Sequence, residues 1–395
     1  MTPLLPVAEA QARLLALVPR VPAERVPLAQ AAGRWTAEPV LARRAQPGAD
    51  LSAMDGYAIR FGDLPGPWRV IGESAAGRPF AGSVGPGEAA RIFTGAAMPD
   101  GADTVMVQEE AARDRDQLTL AGEGPPRFGM SVRRKGLDFE RGAVLVPAGA
   151  RLTAAAIALA ATGGHGDLSV NRRLRVTIVA TGDELIPAGT QSGDPLALPE
   201  GNSAMLAAML ADLPVDTTFA GIVPDDLGAL TAVFAGAQAD IVVTTGGASV
   251  GDHDLVRPAI AAAGGTIDFW RIAIRPGKPM LAGTLGKGVV LGLPGNPVSA
   301  FVTATLFLRP LIAAMAGAAS PLPRLLPATL AEPLPANDHR QDYLRGLVTD
   351  GRVSVAALQD SSMLATLARA TCLVVRPPHA PAAKAGETVD ILPIA

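Results

Sequence analysis

A chain of 395 residues has the length of roughly two to four domains at about 100–200 residues each, which excludes a single small module. With 49% apolar and 18% charged residues it has material for several packed cores and is not a disordered chain, and its 43 glycines and 35 prolines predict many turns. The 34 Lys and Arg against 37 Asp and Glu leave a net charge of −3, which excludes bulk attraction to nucleic acid or anionic lipid, so any anionic ligand must be held by local charge.

In chain order, residues 7–32 carry apolar positions at helical spacing (Val7, Ala10, Leu14, Leu17), and a second helix is expected over 153–162 with Thr153 as its N-cap. These two helices are expected to pack together. Between them, short apolar runs broken by Gly and Pro (W-R-V-I-G, A-A-R-I-F-T-G, T-V-M-V-Q-E, A-V-L-V-P-A-G) read as a β-rich insert. From 172 to 318 strands and helices alternate. Strands are expected at 174–180, 219–223, 241–245, 267–274 and 289–293. Helices are expected after Asn202 and Asp225 as caps, near 254–263, and over 298–315. The final zone is punctuated by Pro and then strand-like at 344–348, 353–357 and 371–375.

The fold class that follows is a multidomain α/β protein. It has a doubly wound, mostly parallel α/β domain (172–318), a helical and extended N-terminal domain in two pieces (1–49 and 140–171), a β-rich inserted domain (50–139) and a small C-terminal β domain of barrel-like character (319–395). Cys372 is the single cysteine, in the core-strand context T-C-L-V-V, which excludes an intramolecular disulfide and a Cys-based zinc site. No basic n-region with a long apolar stretch opens the sequence, and apolar runs such as 152–161 are short, so a soluble cytoplasmic protein is expected.

Three Gly-rich loops follow expected strands: T-G-D-E (181–184), T-T-G-G-A-S-V-G-D-H-D (244–254) and L-P-G-N-P-V-S-A (293–300). Glycines let a backbone approach a ligand and expose N–H groups, so these are candidate phosphate cradles, with tight packing alone as the competing role. In F-W-R-I-A-I-R-P-G-K-P (269–279) an extended strand would put Arg271, Ala273 and Arg275 on one face, followed by Lys278 in a rigid turn. That is a candidate oxyanion clamp or an ordinary solvated edge strand. Asp183, Glu184, Asp225, Asp226, Asp252 and Asp254 supply hard oxygens suited to Mg²⁺. Asp225 and Asp252 are equally open to helix-capping roles, and His253 to that of a loop residue. In the insert, S-A-M-D-G-Y-A (52–58), F-T-G-A-A-M-P-D-G-A-D (93–103) and V-R-R-K-G-L-D-F (132–139) concentrate polar groups in turns. Spacing does not show whether they meet the α/β loops.

The ordered set of these seven motifs, with T-G-D-E-L, I-R-P-G-K-P and G-L-P-G-N-P-V-S-A at its centre, resembles the MoeA family of molybdopterin molybdenumtransferases, which includes the E domain of gephyrin. The resemblance implies a homodimer whose active site lies between the α/β domain of one subunit and the insert of the other. The implied reaction is insertion of molybdenum from molybdate into adenylylated molybdopterin, with Mg²⁺-dependent hydrolysis and release of AMP. It assigns Asp55, Thr94, Asp138, Glu184 and Asp254 to catalysis. Gly246, Gly247, Ser249, Gly251, Arg271, Arg275, Lys278, Pro294, Gly295, Asn296, Arg340 and Ser361 are assigned to binding, with the cations, Arg340 and Ser361 at molybdate. Glu184, Asp225 and Asp254 are assigned to Mg²⁺ or its waters. Implied protein partners are a second copy, the pathway's adenylyltransferase and acceptor molybdoenzymes. The chain departs from the family pattern at Arg271 and Arg275, where lysine is common, and at Leu137, where an acidic residue often precedes Asp138. The last domain matches more loosely. The competing readings are a molybdopterin adenylyltransferase, which would share the Gly-rich loops without needing the additional domains, and a non-catalytic carrier or scaffold.

Overall fold

The computed structural model describes residues 4–17, 20–247 and 255–394. The first helix, Val7–Ala16, is shorter than its apolar spacing suggests. Pro22 and Pro27 lack the N–H a continuing helix needs, and Ala23–Pro27 instead forms a strand antiparallel to Asp167–Asn171. The helix at Ala154–Thr162 starts where expected, with the Thr153 side chain accepting from the Ala156 N–H at 3.2 Å. The two helices do not share a core. Val7, Ala10 and Leu14 are buried against the α/β domain, whereas Ala160 packs with Val26, Val40, Val146 and Leu168. The Gln11 amide reinforces the first of these associations by donating to the Leu306 carbonyl at 2.9 Å.

Between the two pieces, residues of the insert form a sheet in the order Thr104–Val107, Gly56–Ile59, Glu88–Ile92, Trp68–Ser74, Gln117–Leu120, Ala111–Asp114. Its pairs are antiparallel except for Trp68–Ser74 against Glu88–Ile92. Trp68, Met106 and Leu118 fill its core.

The α/β sheet has six described strands: β1 Leu174–Thr181, β2 Val215–Val223, β3 Ile241–Thr245, β4 Thr266–Trp270, β5 Leu281–Leu285 and β6 Gly288–Leu293, in the order β2-β1-β3-β6-β5-β4. The first four of that order run parallel, and β5 is antiparallel to both of its neighbours. Side chains alternate between faces, so Val176 and Ile178 of β1 join one core with the helix Pro297–Met315 while Val179 joins another with Leu230, Phe234 and Ile260. The sheet is therefore covered on both sides. The 19-residue helix Pro297–Met315 has a mean hydropathy of 1.7, enough to cross a bilayer, but 78% of that stretch is buried within the protein, so core packing accounts for its composition.

Several sequence expectations change here. β5 stands where no strand is expected. The stretch 267–274 is not one strand: β4 ends at Trp270, Arg271 takes a left-handed φ of 76°, Ile272 makes an isolated parallel bridge with Leu5, and the next strand is Ile274–Arg275. The alternation argument therefore fails for Arg271 and Arg275, because the chain between them is not extended. Asp226, not Asp225, caps Leu227–Gly236, accepting from the Ala229 N–H at 2.7 Å. Asn202 does not cap its helix: the Glu200 carboxylate accepts from the Ser203 N–H, and the Asn202 amide donates to the Gly295 carbonyl at 2.7 Å. The helix expected near 254–263 is described over Val256–Ala262.

The C-terminal strands close into a ring. Gln341–Thr349 pairs with Arg352–Val355, that strand with Leu326–Leu330, then Thr388–Pro393, then Cys372–Arg376, which returns to Gln341–Thr349. Cys372 is buried in this barrel, and burial pushes its thiol up to about 11. Ile274 and Arg275 pair in parallel with Gln341 and Asp342, so a strand fragment from the α/β domain is stitched to the barrel.

Candidate functional site

A cavity of about 870 Å³ opens where the C-terminal ends of β1, β3 and β6 meet the barrel. The neighbours β1 and β3 connect onward to opposite sides of the sheet, β1 to β2 and β3 to β4, so this edge is the switch point at which open α/β sheets bind ligands. The three Gly-rich loops converge there through Thr181, Gly182 and Glu184, through Thr245, Gly246 and Gly247, and through Pro294, Gly295 and Asn296. Gly246 has φ +95°, and a Cβ there would collide with the Thr181 carbonyl oxygen, so the close approach of the first two loops requires glycine. The turn after Ile274–Arg275 adds Arg275, Gly277 and Lys278, and the barrel adds Arg340 and Gln359 to Ser362.

The carboxylate side of the cavity is built from β1 and the loop after β2. The Thr181 hydroxyl donates to Asp225 at 2.7 Å, and the Asp225 N–H donates to Asp183 at 3.0 Å. Because Asp226 takes the cap, Asp225 is left to line the cavity together with Glu184. Among the described residues no group of three or more His, Cys, Asp or Glu side chains is close enough to hold a metal by itself.

The cationic side is supplied by Arg275, Lys278 and Arg340. Arg275 donates to Asp338 and, at 3.2 Å, to Asp342; Arg340 donates to Asp338 at 3.4 Å through its guanidinium and at 2.8 Å through its backbone N–H. That backbone N–H, assisted by both guanidiniums, holds the Asp338 carboxyl below the usual carboxylate range, although burial opposes it. Burial raises Asp342 above that range in spite of Arg275. Ser361 closes this side: its hydroxyl accepts from the Asn296 amide at 3.0 Å, and its carbonyl accepts from the Val298 N–H.

Of the residues singled out in the sequence, Glu184, Asp225, Gly246, Gly247, Arg275, Lys278, Pro294, Gly295, Asn296, Arg340 and Ser361 line this one cavity. Arg271 does not; its guanidinium lies 4.1 Å from the Trp270 ring, with Arg257 at the same distance from that ring. Ser249, Gly251 and Asp254, with Asp252 and His253, lie outside the described residues. No described residue of the insert lines the cavity. Within the insert Asp55 accepts from both the N–H (2.7 Å) and the hydroxyl (2.8 Å) of Thr94, which hold its carboxyl below the usual range. Asp138 is exposed, and its N–H donates to the Gln46 carbonyl. Sequence reasoning missed Asn202, Glu200, Asp360 and Ser362 in the lining. It also missed Asp338, although N-D-H-R stood beside Arg340 in plain view.

Three family models match the chain in order: the MoeA N-terminal region (domains I and II) over residues 5–164, a probable molybdopterin binding domain over 177–314, and the MoeA C-terminal region (domain IV) over 327–394. The chain is similar to the molybdopterin molybdenumtransferase of Haemophilus influenzae, with 34% identity over 99% of this chain and 98% of the relative. The enzyme of that name from a Nostoc species is 35% identical over 95% and 91%. Among solved structures, the molybdopterin biosynthesis MoeA protein of Pyrococcus horikoshii superposes with a TM-score of 0.84 at 27% identity, covering 99% of this chain and 100% of that one. The chain belongs to the MoeA family of molybdopterin molybdenumtransferases.

Proposed function

We propose that this chain inserts molybdenum into adenylylated molybdopterin, taking the metal from molybdate and releasing AMP, a late step of molybdenum cofactor biosynthesis. The observation that carries the reading is the single cavity in which four carboxylates, Glu184 and Asp225 with Glu200 and Asp360, come together with three cations, Arg275, Lys278 and Arg340. A phosphoanhydride and a tetrahedral oxyanion need that division of charge. The barrel's share of the lining, Arg340 and Ser361, favours this reading over an adenylyltransferase, which would not need that domain.

In the proposed mechanism the loops at Gly246 and Gly247 and at Pro294 to Asn296 seat the pterin phosphate against backbone N–H groups, and the same role is proposed for Ser249 and Gly251, which lie outside the described residues. Lys278, Arg275, Arg340 and Ser361 hold molybdate, with planar guanidiniums matched to its oxygens. Glu184 and Asp225 fit Mg²⁺, which takes one or two carboxylates and fills its remaining positions with phosphate oxygens and water; Asp254 would complete the set. When bound, Mg²⁺ would neutralise charge on the phosphoanhydride. The chain's own part is to position charge and exclude competing water. Arg271 is retained in this scheme only as a flanking cation, beside Trp270.

The insert residues Asp55, Thr94 and Asp138 enter this scheme from a second copy of the chain, in a homodimer whose cytoplasmic partners are the adenylyltransferase that supplies the substrate and the apoenzymes that take the product. Support comes from the separation within one chain: an Asp55 carboxylate held ionised by Thr94, on a domain that gives no described residue to its own cavity. AMP release from adenylylated molybdopterin, measured with and without molybdate, tests the reading. Molybdate-dependent release supports it, and release that ignores molybdate and leaves no metal on the pterin overturns it.

A further inference from the structure

Asp338 does not line the cavity, yet it touches two of the three cations that do. Arg275 comes from the strand fragment of the α/β domain and Arg340 from the start of the barrel, and both guanidiniums donate to the same Asp338 oxygen, Oδ2. The carboxylate is itself fixed. Its other oxygen accepts from the Arg340 N–H at 2.8 Å, and the Asp338 N–H donates to the Asn337 side chain at 2.9 Å. The Asn337 amide in turn donates to the carbonyls of Arg340, Arg376 and Pro377. We infer that Asp338 is a positioning residue that sets Arg275 and Arg340 as one preformed fork for the oxyanion. The inference rests on the reading of these cations as the molybdate site.

Two like-charged guanidiniums on separate folding units repel one another, and each has several rotatable bonds. A shared carboxylate offsets the repulsion and removes rotamer freedom before the ligand arrives, so less ordering is left to be done on binding. The bridge does not consume the donors. Each guanidinium has five N–H groups, and Arg340 Nε finds no partner among the described residues. Asp342 also accepts from Arg275 through Oδ2, while its Oδ1 finds no partner among the described residues, at a side chain only 8% exposed. A carboxylate in this place also competes with an incoming anion, so positioning and competition predict opposite effects of its removal.

Isothermal titration of the full chain with molybdate, sulfate and AMP separates them. Asp338→Ala is expected to weaken molybdate binding about tenfold, as for loss of a charge-assisted contact, and to narrow the preference for molybdate over sulfate, with AMP affinity unchanged. Asp338→Glu, which keeps the charge, should recover most of the loss. If the Ala variant melts early, the isosteric Asp338→Asn is used, with the same direction expected. Molybdate affinity that is unchanged or tighter overturns the inference, as does equal loss for molybdate and AMP. If the unaltered chain binds no molybdate, the oxyanion reading itself fails, and that result is distinct from a failure confined to the variants.

Discussion

The Asn296 amide donates to the Ser361 hydroxyl across 3.0 Å, joining the P-G-N-P turn of the α/β domain to a loop of the barrel at the mouth of the cavity. A second bond, from the Val298 N–H to the Ser361 carbonyl, survives loss of the hydroxyl. Ser361→Ala should therefore leave the fold intact, with a stability loss of about 1 kcal/mol or less, while raising the molybdate concentration at half-maximal rate several-fold. Steady-state kinetics with molybdate varied would show it.

Thr181 and Asp225 form a comparable pair on the carboxylate side. Thr181→Val removes the hydroxyl that orients Asp225 without changing side-chain volume. Partners that orient metal-binding carboxylates are worth about 10–100-fold in metal affinity, so the Mg²⁺ concentration at half-maximal rate should rise by about tenfold or more, with the rate restored at saturating Mg²⁺.

Gly246 is held at φ +95° against the Thr181 carbonyl. Gly246→Ala should cost about 1–3 kcal/mol by thermal or denaturant unfolding and displace the cradle, so that affinity for adenylylated molybdopterin falls even where the variant is folded.

Asp55 is held below the ordinary carboxylate range by the Thr94 N–H and then by the Thr94 hydroxyl. A group whose folded value is depressed stays ionised as pH falls through its unfolded value and loses its charge only below that. Thr94→Val removes one of the two donors, so the acid limb of the rate profile should move to higher pH. A limb that stays in place would exclude Asp55 as the group responsible.

Asp55→Asn and Lys278→Ala place their lesions in different domains. If the site is shared between subunits, each variant alone should be nearly inactive, while co-expressed and co-purified mixed dimers regain one intact site, with up to half the activity per dimer. Sedimentation confirms the dimer, and a mixture no more active than its parts contradicts the shared site.

The α/β domain was legible where runs of β-branched residues end in glycine, as at Ile241–Thr245 and Gly246. The convergence of T-G-D-E, T-T-G-G and P-G-N-P at one edge followed from the βα alternation. What could not be read depended on single backbone angles and tertiary contacts. Arg271 left the clamp because one left-handed residue ends the strand. Asp225 was freed because its neighbour took the cap. The role of N-D-H-R emerged only when strand pairing brought Asp342 beside Arg275. The first helix joined the α/β core rather than the nearer helix in its own zone because its apolar stripe meets Pro297–Met315, and nothing in local spacing names that partner.

The most direct test of the central claim is the stoichiometry of products when the purified chain is given adenylylated molybdopterin, molybdate and Mg²⁺ in one reaction. The account predicts one molybdenum bound to pterin for each AMP released, and neither product when molybdate is withheld. AMP formed without molybdenum on the pterin, or consumption of ATP in its place, would contradict it.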